Sequence, residues 1–378
     1  MSRSLRILHV SEAFGGGIVG VVAPLAERLT AAGHSVAVAY GVRPETPADV
    51  SSELSEDVDV FPLPWRKRTF LEQVRAAKAL RKLARKWEPD VVHLHSSFAG
   101  VVGSMALSRR CLLVYSPHGY SFTRSSDHGL RRRAYKAAER YVARRVDVVA
   151  AVSESEAAQA RAGVRARTVA VVPNGVPELD PGSLPEVPPR PVVRAVGMGR
   201  ADDQRQPDAA GRILASVRDV AEVEWIGGGT PSDEGIRTLE SHGVPVTGWL
   251  EQPEARERLA EATAYLHWSA WDGRSLAVLE AMASDVVVVA SDIAANREVL
   301  SPEQVCATEE EAAELLRTVL TDEDARERLL EGQRIRRDSY SALAMASEWE
   351  AVYQRVIPGA EWAPVLRPEP RPDVYSAP

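Results

Sequence analysis

The chain has 378 residues, 45% of them hydrophobic and 26% charged, with a formal net charge of −7. That length suits two domains with a sizeable core, and the balance excludes a disordered chain and a protein that binds nucleic acid as a whole. The two cysteines, Cys111 and Cys306, stand far apart and form no disulfide or metal pattern.

No apolar run reaches the roughly 18–20 residues that cross a bilayer. The hydrophobic stretch after Met1 is too short for a signal peptide, so a cytoplasmic location is expected. Along the chain, short apolar runs alternate with longer helical patterns. Residues 5–10 predict a strand, and a run of glycines at 15–17 leads into a helix over 19–32 that ends at Gly33. A second strand follows at 34–40. A basic amphipathic helix over 70–87 precedes a third strand at 90–95. Strands at 112–116 and 146–152 flank a basic helix at 130–145, and a strand at 168–172 ends at the turn signal Pro173-Asn174-Gly175.

Residues 176–191 are proline-rich and carry no periodicity, which predicts a linker. The alternation then restarts, with strands at 192–197, 223–227, 244–248, 264–267 and 286–289. Helices are expected near 208–218, 253–262 and 274–284, with a further segment at 235–241. Helices at 309–320, 323–338 and 342–357 follow, and 358–378 reads as a mobile tail. The expected class is α/β: a domain over 1–175, a second over 192–340, and a C-terminal helix over 341–357 that packs back on the first. Two such halves place a ligand cleft between facing strand C-terminal ends.

Polar and glycine residues gather just after these strands. The loop at Gly16 and Gly17 opens a helix, where backbone N–H groups meet an anion or merely make a tight connection. His118, between Pro117 and Gly119 at a strand end, is either presented to the cleft or structural. Ser153 and Glu156 fit a helix capping box. Arg200 and Arg205 lie in a loop after a strand, a pattern that suits a diphosphate or surface pairing with Asp202, Asp203 or Asp208. The glycines at 227–229 permit close backbone approach. Asp272 begins a helix, and Glu280 lies four residues after Leu276 on the inward face. A carboxylate there costs several kcal/mol unless an internal cation or a ligand's hydroxyl groups satisfy it. Asp272 and Glu280 are about 11–12 Å apart along the helix, too far for a hydrolytic pair. There is no HxxxH or CxxC metal spacing, no Walker lysine loop and no Gly-x-Ser-x-Gly elbow.

In order, the chain presents Gly15-Gly-Gly17, Tyr115-Ser-Pro-His-Gly-Tyr-Ser-Phe122, Val152-Ser-Glu154 and Val171-Val-Pro-Asn-Gly-Val176. It continues with Gly199-Arg200, Gln204-Arg205-Gln-Pro207, Ile226-Gly-Gly-Gly229, Thr247-Gly-Trp249, and Asp272-Gly273 followed by Leu279-Glu280-Ala-Met-Ala283. The ordered set resembles the retaining glycosyltransferases of family 4, which have the GT-B fold of two Rossmann-like domains facing across a cleft. The resemblance implies that Glu280 holds the ribose hydroxyls of a nucleotide-sugar rather than meeting an internal arginine. It implies that Arg200 and Arg205 neutralise the diphosphate, with Gly16 and Gly17 approaching from the other domain and Gly229 and Gly273 lining the donor. Asp272, with the backbone N–H groups of Arg274, Ser275 and Leu276, would hold the donor sugar, and His118 would stand beside the anomeric carbon. The implied mechanism uses no metal and no cofactor, with the leaving diphosphate itself helping to deprotonate the acceptor.

Three features depart from the family pattern. Asp272 replaces the first glutamate of the E-x7-E motif, Arg205 replaces a lysine, and Ser284-Asp285-Val286-Val287 replaces a segment with glycine and proline. The leading expectation is transfer of a sugar to a saccharide, lipid-linked or small-molecule acceptor. The alternative is a catalytically degenerate homologue that binds sugar nucleotides or acts as a scaffold. Basic residues at 65–68, 70–86 and 131–136 add the expectation of peripheral contact with an anionic membrane.

Overall fold

The fold is that of a computed structural model, which describes residues 3–355 except 45, 108–110, 124–128, 181, 183–189, 191 and 230–232. The tail expected at 358–378 and most of the linker expected at 176–191 lie outside the described residues.

The first half contains β1 (Arg6–Ser11), α1 (Gly17–Ala31), β2 (Ser35–Gly41), β3 (Asp59–Leu63), α2 (Phe70–Trp87), β4 (Val91–His95), α3 (Ser97–Ala106), β5 (Leu112–Ser116), α4 (Gly129–Ala143), β6 (Val148–Ala151), α5 (Glu154–Ala158) and β7 (Val169–Val171). The second contains β8 (Arg194–Arg200), α6 (Pro207–Ala215), β9 (Glu222–Gly228), α7 (Glu234–Ser241), α8 (Gln252–Ala260), β10 (Ala264–His267), α9 (Leu276–Ala283), β11 (Val287–Ser291), α10 (Ala294–Arg297), β12 (Val305–Cys306), α11 (Glu309–Thr321), α12 (Glu323–Arg337) and α13 (Ala342–Arg355).

Strands β4, β5, β6, β10 and β11 are buried at every residue. Strands buried on both faces in this way belong to parallel sheets covered on each side by helices. One sheet has the order β3-β2-β1-β4-β5-β6-β7, the other β12-β11-β10-β8-β9, and every strand pairing is parallel. Chain order reverses between β1 and β4 in the first sheet and between β8 and β10 in the second. Ligands bind at such reversals, outside the strand C-terminal ends.

Helix α13 packs against α1 and sends Met345, Trp349, Val352 and Tyr353 into the core of the first sheet. The chain therefore crosses between the halves twice, and the crossings run side by side: Val176 N donates to Tyr340 O at 2.9 Å and Ala342 N to Val176 O at 3.1 Å.

Five elements differ from the sequence expectation, one of them the four-residue helix α10. Strand β3 is an edge strand with only Leu63 buried, and Pro62 inside its short apolar run argues against a strand. Helix α3 was hidden by Gly100 and Gly103, which are needed for packing: a Cβ at these positions would lie 2.7 Å from the Tyr115 ring and 2.3 Å from Leu94. The strand expected at 244–248 is reduced to isolated bridges, Trp225 to Val246 and Gly227 to Gly248; Pro245 has no N–H to extend a ladder. Strand β12 is two residues long and gave no periodic signal.

In the turn after α9, Asp285 stands where glycine was expected. Asp285 adopts φ +51, a left-handed conformation that aspartate tolerates better than most residues. Arg334 grips its carboxylate through both oxygens and Arg337 adds a bond at 2.7 Å.

Candidate active site

The loops that follow β8 and β10 build one wall of the cleft. They are tied together by Ala270 N donating to Gln204 O at 2.9 Å and Gln204 Nε2 donating to Trp271 O at 3.0 Å. That tie brings Arg205 beside Asp272. Arg205 Nη1 donates to Asp272 Oδ2 at 2.8 Å, and it also donates to Ser269 Oγ and lies 3.3 Å from His267 Nε2. Burial favours a protonated Asp272, but the Arg205 charge and the His267 contact outweigh it and hold the carboxyl well below the usual range. Burial, with Arg205 second, pushes His267 down to about 4, so the imidazole beside this ion pair is neutral. The result is an ionised carboxylate held between the Arg205 guanidinium and a neutral imidazole.

Ser275 is the N-cap of α9, with extended backbone and no side-chain cap bond. The first-turn N–H groups of such a helix have no intrahelical partner and suit an oxygen-rich ligand. On the same helix Glu280 is buried, and its Oε1 accepts from Nε of Arg256 at 2.9 Å. Arg256 also reaches Glu178 at 3.0 Å. Burial raises the Glu280 carboxyl despite Arg256, whose charge opposes the rise. The expectation that no internal arginine serves Glu280 is thus corrected. Helix α8 lays Arg256 over the carboxylate, because an unpaired charge at that depth costs several kcal/mol. No bond to Glu280 Oε2 is found among the described residues.

The first half supplies the opposite wall. Gly16 has φ +51 and caps α1, which Gly17 opens. A Cβ on Gly16 would lie 3.8 Å from the Trp249 ring, and one on Gly20 would lie 2.8 Å from both Gln252 and Leu276. Here α1 meets the second half at glycine spacing. His118, also in the left-handed region at φ +50, stands between β5 and Gly119. A Cβ on Gly273 would be 3.3 Å from Gly119 N, so the His118 loop abuts the Asp272 loop directly.

Arg274 crosses the cleft. Its Nε donates to Val152 O at 2.6 Å and its Nη2 to Glu298 at 3.1 Å, while its own carbonyl accepts from Asn174 at 3.2 Å. Glu298 in turn accepts from the N–H groups of Glu154 and Ser155, at 2.8 and 2.7 Å, at the start of α5. A carboxylate of one half therefore caps a helix of the other, where the helix dipole favours negative charge.

Arg205, Asp272, Gly273, Arg274, Ser275, Leu276 and Glu280 thus gather on one wall, with Gly16, Gly17 and His118 opposite. Gly229 follows β9 next to Asp233. Arg200 does not join them: its side chain is exposed, 3.8 Å from Asp202, beyond hydrogen-bond length. Sequence reasoning missed Arg256, Glu298 and the role of Glu156. Ser153 does cap α5, accepting from Glu156 N at 3.1 Å. The Glu156 carboxylate, however, bonds not to Ser153 N but to Gly119 N at 2.6 Å and Val152 N at 2.8 Å. It anchors the backbone beside His118, and burial pushes its carboxyl up to about 7 against those bonds. A glutamate at N3 inside a strand-end motif was the available signal, but its spacing pointed to the local cap.

Residues 15–178 match the profile of Glycosyltransferase Family 4, and residues 192–322 that of Glycosyl transferases group 1. An uncharacterised 41.2 kDa protein of the cps region of Klebsiella pneumoniae is 24% identical over 312 residues, covering 79% of this chain and 84% of the relative. Among solved structures, sucrose-phosphate synthase from Thermosynechococcus elongatus superposes with a TM-score of 0.79 at 18% identity, over 94% of this chain and 99% of that one. Anabaena HepE in complex with UDP and glucose gives 0.73 at 16% identity, over 92% and 99%. The two profiles divide between the two sheets, the neighbours share the whole architecture, and the chain belongs to the family 4-like glycosyltransferases of the GT-B fold.

Proposed function

We propose that this protein is a retaining glycosyltransferase that moves a sugar from a nucleotide-sugar donor to a saccharide, lipid-linked or small-molecule acceptor. The observation that carries the reading is the convergence of Asp272, Arg205 and the α9 N-terminus on one wall, opposite His118 and the Gly16–Gly17 turn. Such a site offers fixed dipoles and charges for a sugar diphosphate, and catalysis then rests on positioning and on stabilising the departing charge. In this reading Asp272 and the N–H groups of Arg274, Ser275 and Leu276 hold the donor sugar. Arg205 meets the diphosphate while keeping its bond to Asp272, and Arg200 folds in from the surface. The ribose bonds Glu280 Oε2, with Arg256 retaining Oε1. These residues supply the positive charge themselves, so the reading takes neither metal nor cofactor, and the leaving diphosphate takes part in deprotonating the acceptor. It is further supported by the donor complexes of HepE, solved with UDP and with UDP-glucose. The cps-region relative points to polysaccharide synthesis.

Calorimetry against a panel of nucleotide-sugars tests the reading. Binding of one donor, followed by transfer with retention of anomeric configuration by NMR, is expected; a chain that binds none overturns it. One observation favours a second reading. Both Asp272 and Glu280 are already paired with arginines of the same chain, as a non-catalytic nucleotide-sugar-binding or scaffolding subunit would allow. Binding without transfer or donor hydrolysis would select it.

We place the protein in the cytoplasm, with peripheral contact at the inner face of the membrane. No helix among the described residues is long and apolar enough to cross a membrane. Helix α2 instead carries Lys78, Arg81, Lys82, Arg85 and Lys86 along one surface, with Phe70 and Leu71 exposed at its start. Trp65 is fully buried and takes no part. Sedimentation with vesicles should rise with their anionic lipid content; indifference to it would remove the membrane contact.

A further inference from the structure

Behind His118 lies a row of three imidazoles. Nε2 of His118 is 2.9 Å from Nδ1 of His95, and Nε2 of His95 is 3.0 Å from Nδ1 of His9. His118 is only half-buried, whereas His95 on β4 and His9 on β1 are buried at the reversal point of the first sheet. The last nitrogen of the row, Nε2 of His9, is buried without a hydrogen-bond partner among the described residues.

A neutral imidazole carries one N–H and one lone pair. Each link therefore needs a donor facing an acceptor, and His95, shared by both links, forces them to point the same way. If the row donates inward, it strands an N–H of His9 in the core. If it donates outward, only the His9 Nε2 lone pair is left there, and orphaned buried N–H groups are the rarer of the two in folded proteins. The row is also uncharged at neutral pH. Burial pushes His118 down to about 4 and His9 to about 3, and holds His95 well below its ordinary range. With no onward partner at His9, no proton leaves through it. The nitrogens of His9, His93 and His95 lie within 4.8 Å of one another, close enough for a metal. Those of His93, however, are bonded to Tyr353 and Ser116 at 2.7 and 2.9 Å, and those of His95 to its neighbours in the row. An ion would break these bonds in a core that offers it no carboxylate among the described residues.

We propose that His9 and His95 are positioning residues that fix His118 as a neutral, Nδ1-protonated imidazole, so that it meets the cleft as a hydrogen-bond donor and not as a base. The ligand it suits is an electron-rich oxygen of the donor sugar or of its departing diphosphate. The catalytic part rests on the proposed function, which puts His118 in the donor site; the tautomers do not.

Histidine-selective ¹⁵N labelling of the full chain reads which nitrogen of each ring carries the proton, with resonances assigned from His9→Phe, His95→Phe and His118→Ala spectra. At neutral pH, Nδ1–H and no imidazolium is expected at all three. Nε2–H or a charged ring at any of them overturns the proposal, as does a shift of these resonances on adding Zn²⁺. His95→Phe should mix the tautomers of His118 and lower kcat about tenfold, with the donor KM held within about twofold. His95→Gln, whose amide both donates and accepts, should recover most of that loss. Wild-type kcat in His95→Phe overturns the positioning role. Wild-type turnover in His118→Ala overturns the placement of His118 in the donor site, and the wild-type spectrum then still decides the row by itself.

Discussion

Replacing Glu156 with glutamine should change how stability depends on pH, and the structure sets both sign and size. The carboxyl is displaced from 4.5 to about 7, by burial first, against the hydrogen bonds from Val152 and Gly119. An acid whose folded pKa is raised binds more protons folded than unfolded, so it destabilises the fold progressively as pH rises from 4.5 to about 7. With these two values the loss is about 0.8 kcal/mol at about pH 5 and about 3.2 kcal/mol at about pH 7.5. Urea unfolding of wild type and Glu156→Gln at both pH values gives four free energies. The wild type should lose about 2.4 kcal/mol relative to the variant between the lower and the higher pH. Other displaced groups, such as Glu139 and Glu280 (raised) and His93 and His267 (lowered), are present in both proteins and cancel in the difference. A constant offset between the two proteins would reflect only the altered hydrogen bonds. Parallel pH profiles would refute the claim that Glu156 is held as a buried acid.

Asp272→Asn leaves the Arg205 guanidinium without its counter-charge and the donor without an ionised acceptor. Steady-state transfer assays should show kcat/KM reduced about a hundredfold or more, and undiminished turnover would exclude Asp272 from the site. Arg256→Met removes the cation over Glu280 and should lower the unfolding free energy of the nucleotide-free protein by about 2 kcal/mol; a change within about 0.5 kcal/mol would show that the pair carries no weight. Gly20→Leu drives side-chain atoms into Gln252 and Leu276, already 2.8 Å from a Cβ there. A lowered Tm together with weakened donor binding is expected, and unchanged binding would place α1 outside the donor site.

The two-sheet fold was legible because parallel strands buried on both faces announce themselves as apolar runs, as at 286–289 and 112–116. Elements governed by close packing were not: α3 uses glycines that a helix pattern disfavours, and β3 is an edge strand interrupted by Pro62. For the site, residues held by their own loops could be read from local motifs, including His118 between Pro117 and Gly119 and Asp272 before Gly273. Partners contributed by distant segments could not. Arg256 is an ordinary charged residue of an exposed helix until α8 is laid across α9, and Glu298 becomes a helix cap only when the second half meets α5. Arg200 shows the converse: expected in a loop after the strand, it is the last residue of β8, and among the described residues nothing draws its side chain inward.

The return of α13 to the first half has a consequence for the protein's birth on the ribosome. The core beneath the first sheet contains Trp349 and Tyr353, and Tyr353 is bonded to His93. When residues 1–175 leave the exit tunnel, that core still lacks its closing helix, and it stays incomplete until nearly the whole chain has been synthesised. The nascent first half must wait with an apolar groove along α1 uncovered. Folding of the second half, which delivers α13, is what closes that groove. A chain released early, before residue 342, should be recovered as aggregate even though every residue of its first sheet is present.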